Sequence, residues 1–247
     1  MFARLDTFRE YFKGFEKNYI VIGGTACELL LQDVGFDFRV TKDLDMVLFV
    51  EGLSKEFGFK FWEYVRAGGY KIQEKSSGEP VFYRFKNPSV NNFPAMIELF
   101  SKRPDYITAS DDVRLTPIHI DDEVSSLSAI LLDDEYYELL KEGMVNFAGI
   151  SILDTRHIIL FKIKAWKDLQ EKNAEKNKIA KHRNDVFRLA QLLSVGTPLE
   201  ISSTIYSEVS NFVTAMSDFD INLRGIGVID FDKETILKLI LKNYVVK

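Results

Sequence analysis

The sequence predicts an α+β fold: a mixed sheet with flanking helices runs to about residue 120, and a mostly helical region follows to residue 247. Three observations carry this expectation. Short apolar runs at 19–22, 44–50 and 95–100 have the length of buried strands and stop at glycine or polar residues. Segments with apolar residues at helical spacing lie between them. Beyond Asp122 helical spacing dominates, and no internal repeat interrupts it.

In chain order, Leu5, Phe8, Tyr11, Phe12 and Phe15 recur at helical spacing, so residues 6–17 form a covering helix. The apolar run 19–22 is a strand that stops at Gly23-Gly24. Thr25 then stands as N-cap of an apolar helix at 26–32. A loop at 34–41 leads to a second strand at 44–50. Residues 53–67 repeat Phe57, Phe61, Tyr64 and Val65 on one helical face and end at Gly68-Gly69. Strands at 70–74 and 80–85, joined by the polar turn 75–78, read as a hairpin. Further strands are expected at 95–100 and 114–120. Helices are then expected at 123–142, 155–171, 179–194, 198–216 and 233–243, with 145–153 a strand or an extended linker. The domain boundary falls between 105 and 122, which gives a first domain at 1–120 and a helical one at 121–247.

Composition narrows the function. With 46% hydrophobic residues in 247, the chain can bury a sizeable core. No window reaches the roughly 18 uninterrupted apolar residues of a membrane span, and the amphipathic, charged N-terminus is unlike an export signal. A cytoplasmic protein with no membrane partner is expected. The single cysteine, Cys27, excludes an internal disulfide and a cysteine-based zinc site, and three scattered histidines argue against a histidine cluster. A net charge of −5 argues against indiscriminate nucleic-acid binding, yet ten Lys or Arg against four acids lie between Arg156 and Arg188. Such a run is a solvated helix face or a site for an anion.

The chemistry-bearing residues begin with Asp43-Leu44-Asp45. Alternation along a strand puts both carboxylates on one face, where two like charges need a cation or a proton, and oxygen-rich sites suit Mg²⁺. An acidic strand edge is the simpler alternative. The apolar flank Met46-Val47-Leu48-Phe49 favours a core-bound strand, however, and Glu98 stands in similar surroundings within Met96-Ile97-Glu98-Leu99-Phe100. A buried Glu98 needs a cation, a proton or a salt bridge to a lysine or arginine. Separately, Gly23-Gly24-Thr25 between strand and helix offers backbone N–H groups and a hydroxyl to an anion. It lacks the later glycines and the lysine of the common nucleotide motifs.

Taken together, a strand ending in Gly-Gly-Thr, a helix, a strand opening Asp-x-Asp and a third acid on a later strand resemble the DNA polymerase beta-like nucleotidyltransferase superfamily. Gly23-Gly24-Thr25-Ala26 and Arg39-Val40-Thr41-Lys42-Asp43-Leu44-Asp45 are similar to the AbiEii-type nucleotidyltransferases, toxin components of type IV toxin–antitoxin systems. The resemblance spans about residues 19–194. It implies the superfamily's mixed sheet with flanking helices at 1–120, a nucleotidyltransferase catalytic domain, and a helical C-terminal domain that contributes to the nucleotide site. It also implies that Asp43, Asp45 and Glu98 bind Mg²⁺ or Mn²⁺, and that Gly23, Gly24, Thr25, Arg39, Lys42, Lys164 and Lys181 contact an NTP such as ATP. Lys162 would touch phosphate, with Lys164 as its alternate, and Asp185 would position it. Glu98 departs from the aspartate usual there, and residues 172–181 form a long polar insertion.

The activity so implied is metal-dependent transfer of an NMP from NTP to a hydroxyl acceptor, a tRNA 3′ end or a protein, with an antitoxin as protein partner. Two alternatives stand beside it: a non-catalytic nucleotide- or partner-binding module, and a small-molecule, aminoglycoside-type nucleotidyltransferase. Leu160, Ile163, Trp166 and Leu169 are expected to face the core, leaving Lys162 on a flank and the lysines from 172 to 178 in solvent. Tyr19, Phe38, Trp62 and Tyr83 could stack on a base but read first as core aromatics.

Overall fold

The apolar runs become strands of one sheet, and their glycine and polar boundaries become its turns. A computed structural model describes residues 3–39, 41–49, 54–74, 80–100, 107–110, 113–115 and 133–247. Its first elements are α1 (Ala3–Tyr11), β1 (Tyr19–Ile22), α2 (Gly23–Asp33), β2 (Asp43–Leu48), α3 (Lys55–Gly68), β3 (Lys71–Glu74), β4 (Pro80–Lys86), β5 (Met96–Phe100), β6 (Ile107–Ser110) and β7 (Val113–Leu115). Then follow α4 (Asp134–Glu142), β8 (Met144–Phe147), β9 (Ile150–Leu153), α5 (Thr155–Glu171), α6 (Lys176–Ala190), β10 (Leu199–Ile201), α7 (Ser203–Ser217), a 3-10 turn (Arg224–Ile226), α8 (Lys233–Lys242) and β11 (Tyr244–Val246).

The chain divides into two compact units, each discontinuous in sequence. The first comprises Met1–Ala26, Val40–Val124 and Met144–Leu153. Its seven-stranded sheet has the order β3-β4-β5-β2-β1-β9-β8. The sheet is mixed: β1 runs antiparallel to β2 and parallel to β9, and β2 is parallel to β5. An aromatic layer from α1 and α3 covers it. Phe8, Phe12, Phe57, Phe61 and Tyr64 are fully buried, with Phe12 at 5.4 Å from Tyr64 and Phe8 at 5.3 Å from Tyr19 between ring centroids. Burying each such ring contributes roughly 1.5–3 kcal/mol, which is why α1 packs despite its short length. Ser54 caps α3 by accepting from the Phe57 N–H, and Gly69 ends it at φ 60°.

The second unit comprises Cys27–Arg39, Ser125–Gly143 and Asp154–Lys247. There α5 and α6 form a helical hairpin against which α7 and α8 pack, with Trp166 and Phe212 edge to face at 5.0 Å. Leu160, Ile163 and Trp166 are buried and Leu169 is half-buried, while Lys172, Lys176 and Lys178 are exposed, as the spacing predicts. No helix among the described residues is long and apolar enough to cross a membrane.

Several boundaries differ from expectation, some for local reasons and some because distant segments pair. The helix expected from residue 26 starts at Gly23, so Thr25 is not its N-cap but sits within the first turn. The segment 145–153 is neither a lone strand nor a linker. It is the hairpin β8–β9, turning at Ala148-Gly149 with both residues at positive φ, and β9 adds to the central sheet beside β1. The polar stretch 172–181 supplies a short turn and then the first residues of α6, which begins at Lys176 rather than at 179. A helix from 198 is expected, yet Leu199–Ile201 is a strand pairing in parallel with Tyr244–Val246, and the helix starts only after the Ser202 cap. The polar turn 75–78, residues 116–120, the boundary at 116–122, residues 123–132 and the Tyr83 side chain lie outside the described residues.

Candidate functional site

In the first unit the strand alternation places the acids as the spacing predicts. Leu44 is buried while Asp43 and Asp45 on either side are half-buried and share the opposite face of β2. Parallel pairing of β2 with β5 sets Asp45 level with Glu98, and antiparallel pairing of β4 with β5 sets Arg84 level with Glu98. Asp45, Glu98 and Arg84 therefore form one cross-strand row on three neighbouring strands. Within it the Arg84 Nε donates to Glu98 Oε1, with both side chains mostly covered. The requirement that Glu98 find a counter-charge is met by arginine.

The glycine turn belongs to the same end of the sheet. Ile22 is level with Asp45 across β1 and β2, so Gly23, at φ 70°, follows directly beside the carboxylate. A Cβ at Gly23 would stand 2.1 Å from Asp45 Oδ2. Glycine is required here for two reasons, the backbone angle and the close approach of an acid. The Thr25 hydroxyl, expected to face an anion, is buried and donates to the Asp43 carbonyl at 2.6 Å. It ties the helix start to the acidic strand. Thr41 is buried and Lys42 is exposed, with the Lys42 carbonyl accepting from the Ala95 N–H at 2.8 Å.

Two carboxylates on one strand face are hard donors of the kind a divalent cation takes. The third carboxylate, Glu98, is paired with Arg84. Among the described residues no group of three or more His, Cys, Asp or Glu side chains is arranged to hold a metal ion. The residues fit a cation at Asp43 and Asp45, with Glu98 level with Asp45 and paired through Oε1 with Arg84.

In the second unit, Arg39, Lys162 and Asp185 meet although far apart in sequence. Lys162 Nζ lies 2.9 Å and the Arg39 guanidinium 3.2 Å from Asp185 Oδ2, while Arg188 reaches Oδ1 at 3.0 Å. Asp185 is fully buried and Lys162 nearly so. Burial alone would raise the Asp185 carboxyl, but Lys162 and Arg39 outweigh it and hold it at about 2. Burial likewise pulls Lys162 down, and Asp185 more than compensates, leaving the ammonium above its usual range. The neighbouring Cys27 thiol is pushed up to about 11, chiefly by burial, and is therefore an unreactive thiol. His182 is pulled down to about 3 by burial and by Lys162, so its ring is neutral.

Phe38, with Arg39 at 5.0 Å and Arg188 at 5.6 Å from its ring centroid, is a covered core aromatic. Tyr19 and Trp62 are also buried. Lys164 joins a different network, 3.1 Å from Asp168 and 3.4 Å from Glu208, which also binds Lys167 and the Tyr136 hydroxyl. Lys181 is exposed on α6.

Arg84 is the site residue that sequence reasoning left out. Its signal is modest: it sits on the expected hairpin strand beside the Glu98 strand, but only the register shows that the two are level. Arg39 is among the expected nucleotide contacts, but its pairing with Asp185, like that of Arg188, was hidden, since nothing in the sequence links 39 to 185.

No protein-family model matches this chain, and no curated protein matches it either. Two solved structures are similar in chain course. One is an antigenic nucleotidyltransferase-like protein from Paracoccidioides brasiliensis, 15% identical, with TM-score 0.48 over 90% of this chain and 92% of that one. The other is the antibiotic-resistance factor ANT(2'')-Ia, 9% identical, with TM-score 0.40 over 87% of this chain and 92% of that one. At such scores neither assigns a substrate or a site residue to this chain, whose function must be read from its own side chains.

Proposed function

We propose that the protein is a metal-dependent nucleotidyltransferase that moves an NMP from an NTP to a hydroxyl acceptor. One observation carries the reading: Asp43 and Asp45 share a strand face at the point where a strand–glycine–helix turn packs Gly23 against the Asp45 carboxylate. A structural turn does not need two adjacent acids there, and a mere binding module gains nothing from their repulsion. Asp43 and Asp45 would hold Mg²⁺ or Mn²⁺, which when bound would polarise the reacting phosphate and favour ionisation of the acceptor hydroxyl. The protein's own part is to fix that geometry. The hydrogen bond from Thr25 to the Asp43 carbonyl locks the helix start to the acidic strand, so the first N–H groups of α2 face anionic phosphate from a rigid support. In the transfer, an acceptor O–Pα bond forms as the Pα–O bond to pyrophosphate breaks, and the proton of the acceptor hydroxyl passes to solvent.

The resemblance to AbiEii-type toxins extends the reading to a tRNA 3′ end or a protein as acceptor, to work in the cytoplasm and to an antitoxin that neutralises it. Incubating the purified protein with Mg²⁺, each α-labelled NTP and a cell lysate tests the reading. Label should enter one of the nucleic-acid, protein or small-molecule fractions. Asp45→Asn should lower the transfer by about 100-fold or more, the scale of losing a main electrostatic element of a transition state. Transfer that persists unchanged in Asp45→Asn, or that never occurs with any NTP, would defeat the proposal.

A further inference from the structure

We propose that Arg84 is the resident cation of the carboxylate row, so that the row takes a single divalent cation at Asp43 and Asp45 and leaves Glu98 outside its coordination. This rests on the nucleotidyltransferase reading, which supplies the cation. The register places Arg84 on β4, Glu98 on β5 and Asp45 on β2 level with one another, so the arginine is aligned by backbone pairing rather than by a flexible tether. Its Nε donates to Glu98 Oε1, and the two side chains are only 21% and 15% exposed. An ion pair so covered loses little to solvent screening, and breaking it strands a charge in a low dielectric.

Local charge favours one cation over two before nucleotide binds. Asp43, Asp45 and Glu98 without an arginine would leave a third carboxylate open to a second ion. The Arg84 guanidinium offsets the charge of Glu98, so the carboxylates left to a cation are Asp43 and Asp45, two negative charges that one divalent ion matches. A second ion would have to detach Glu98 from Arg84 and then share the row with an uncompensated guanidinium. Arg84 is thus a positioning residue: it acts through Glu98, withholding that carboxylate from the metal.

Counting Mn²⁺ bound to the full-length protein tests this, with free ion measured by electron paramagnetic resonance and folding checked by thermal melts. Wild type should bind one Mn²⁺. Glu98→Gln made together with Arg84→Gln, so that no guanidinium is left unpaired beside Asp45, should leave its affinity within about threefold, whereas Asp45→Asn should weaken it by at least about tenfold. Arg84→Gln, by releasing Glu98, should add a second ion or tighten the first by roughly tenfold. Arg84→Lys and the double variant Arg84→Gln/Glu98→Gln, which restore the charge balance, should return to one ion. Two ions in wild type, one of them lost in Glu98→Gln, would overturn the role of Arg84 while leaving the nucleotidyltransferase reading intact. Failure of Mn²⁺ to bind, or binding indifferent to Asp45→Asn, would overturn both.

Discussion

At Gly23 a hydrogen in place of a Cβ decides where the Asp45 carboxylate can stand. The glycine pair is legible in the sequence as a place where something approaches the backbone closely, but not what approaches: the first group to do so is an acid of the neighbouring strand. Gly23→Ala is accordingly expected to be expensive twice over, in backbone angle and in displacing Asp45. It should lower unfolding stability by about 1–3 kcal/mol and transfer activity well beyond that loss. Urea denaturation and the labelled-NTP assay check both, and a variant as stable and active as wild type would refute the assigned contact. Glu98 shows the same limit of sequence reasoning. Its need for a counter-charge follows from its apolar neighbours, yet the choice between a metal and Arg84 depends on a strand register that no local pattern encodes.

Elements with strong local signals emerge close to their expected places. Helix α5 begins at Thr155 because Asp154 accepts from the His157 N–H at 2.9 Å, and the same carboxylate binds His157 Nδ1 at 2.8 Å. Asp154→Ala removes the cap and leaves a buried imidazole nitrogen without its partner, so a loss of about 1–2 kcal/mol is expected, whereas Asp154→Asn should retain most of the cap. Thermal or urea melts of the two variants should separate by that margin, and coincident curves would contradict it. Elements built by non-local pairing were not legible. The segment at 199–201 lacks strand length and becomes a strand only because residues 244–246 return beside it. The 144–153 hairpin joins the central sheet through parallel pairing of Ile152 with Val21, a partner far away in sequence.

For the whole molecule, pH is the most direct probe of the buried charges. Folded His182 titrates near 3 against an ordinary 6.5, so between those values the unfolded chain binds a proton that the folded one refuses. Stability must therefore fall as pH drops below 6.5, by up to about 1.4 kcal/mol per pH unit from this group. Asp185 acts lower: its carboxyl, held near 2 against 3.8, adds stability that is complete above the higher value and is lost as pH falls towards the lower. Urea midpoints at pH 7 and pH 5 should show His182→Gln losing about 2 kcal/mol less than wild type over that interval. Equal losses would mean that His182 is not held neutral by burial.

The two compact units also show why a single boundary near residue 120 does not divide this chain: residues 27–39 go with the later helices and 144–153 with the earlier sheet. The sequence by itself determined the class of the fold, the main sheet strands up to residue 100, the principal helices and the same-face pair Asp43 and Asp45, because periodicity, caps and alternation act over a few residues. Only the tertiary structure decided that Gly23 makes room for Asp45, that Arg84 pairs with Glu98, and that Arg39, Lys162 and Arg188 share Asp185. Those outcomes depend on strand register and buried electrostatics, which arise only when distant segments are brought together.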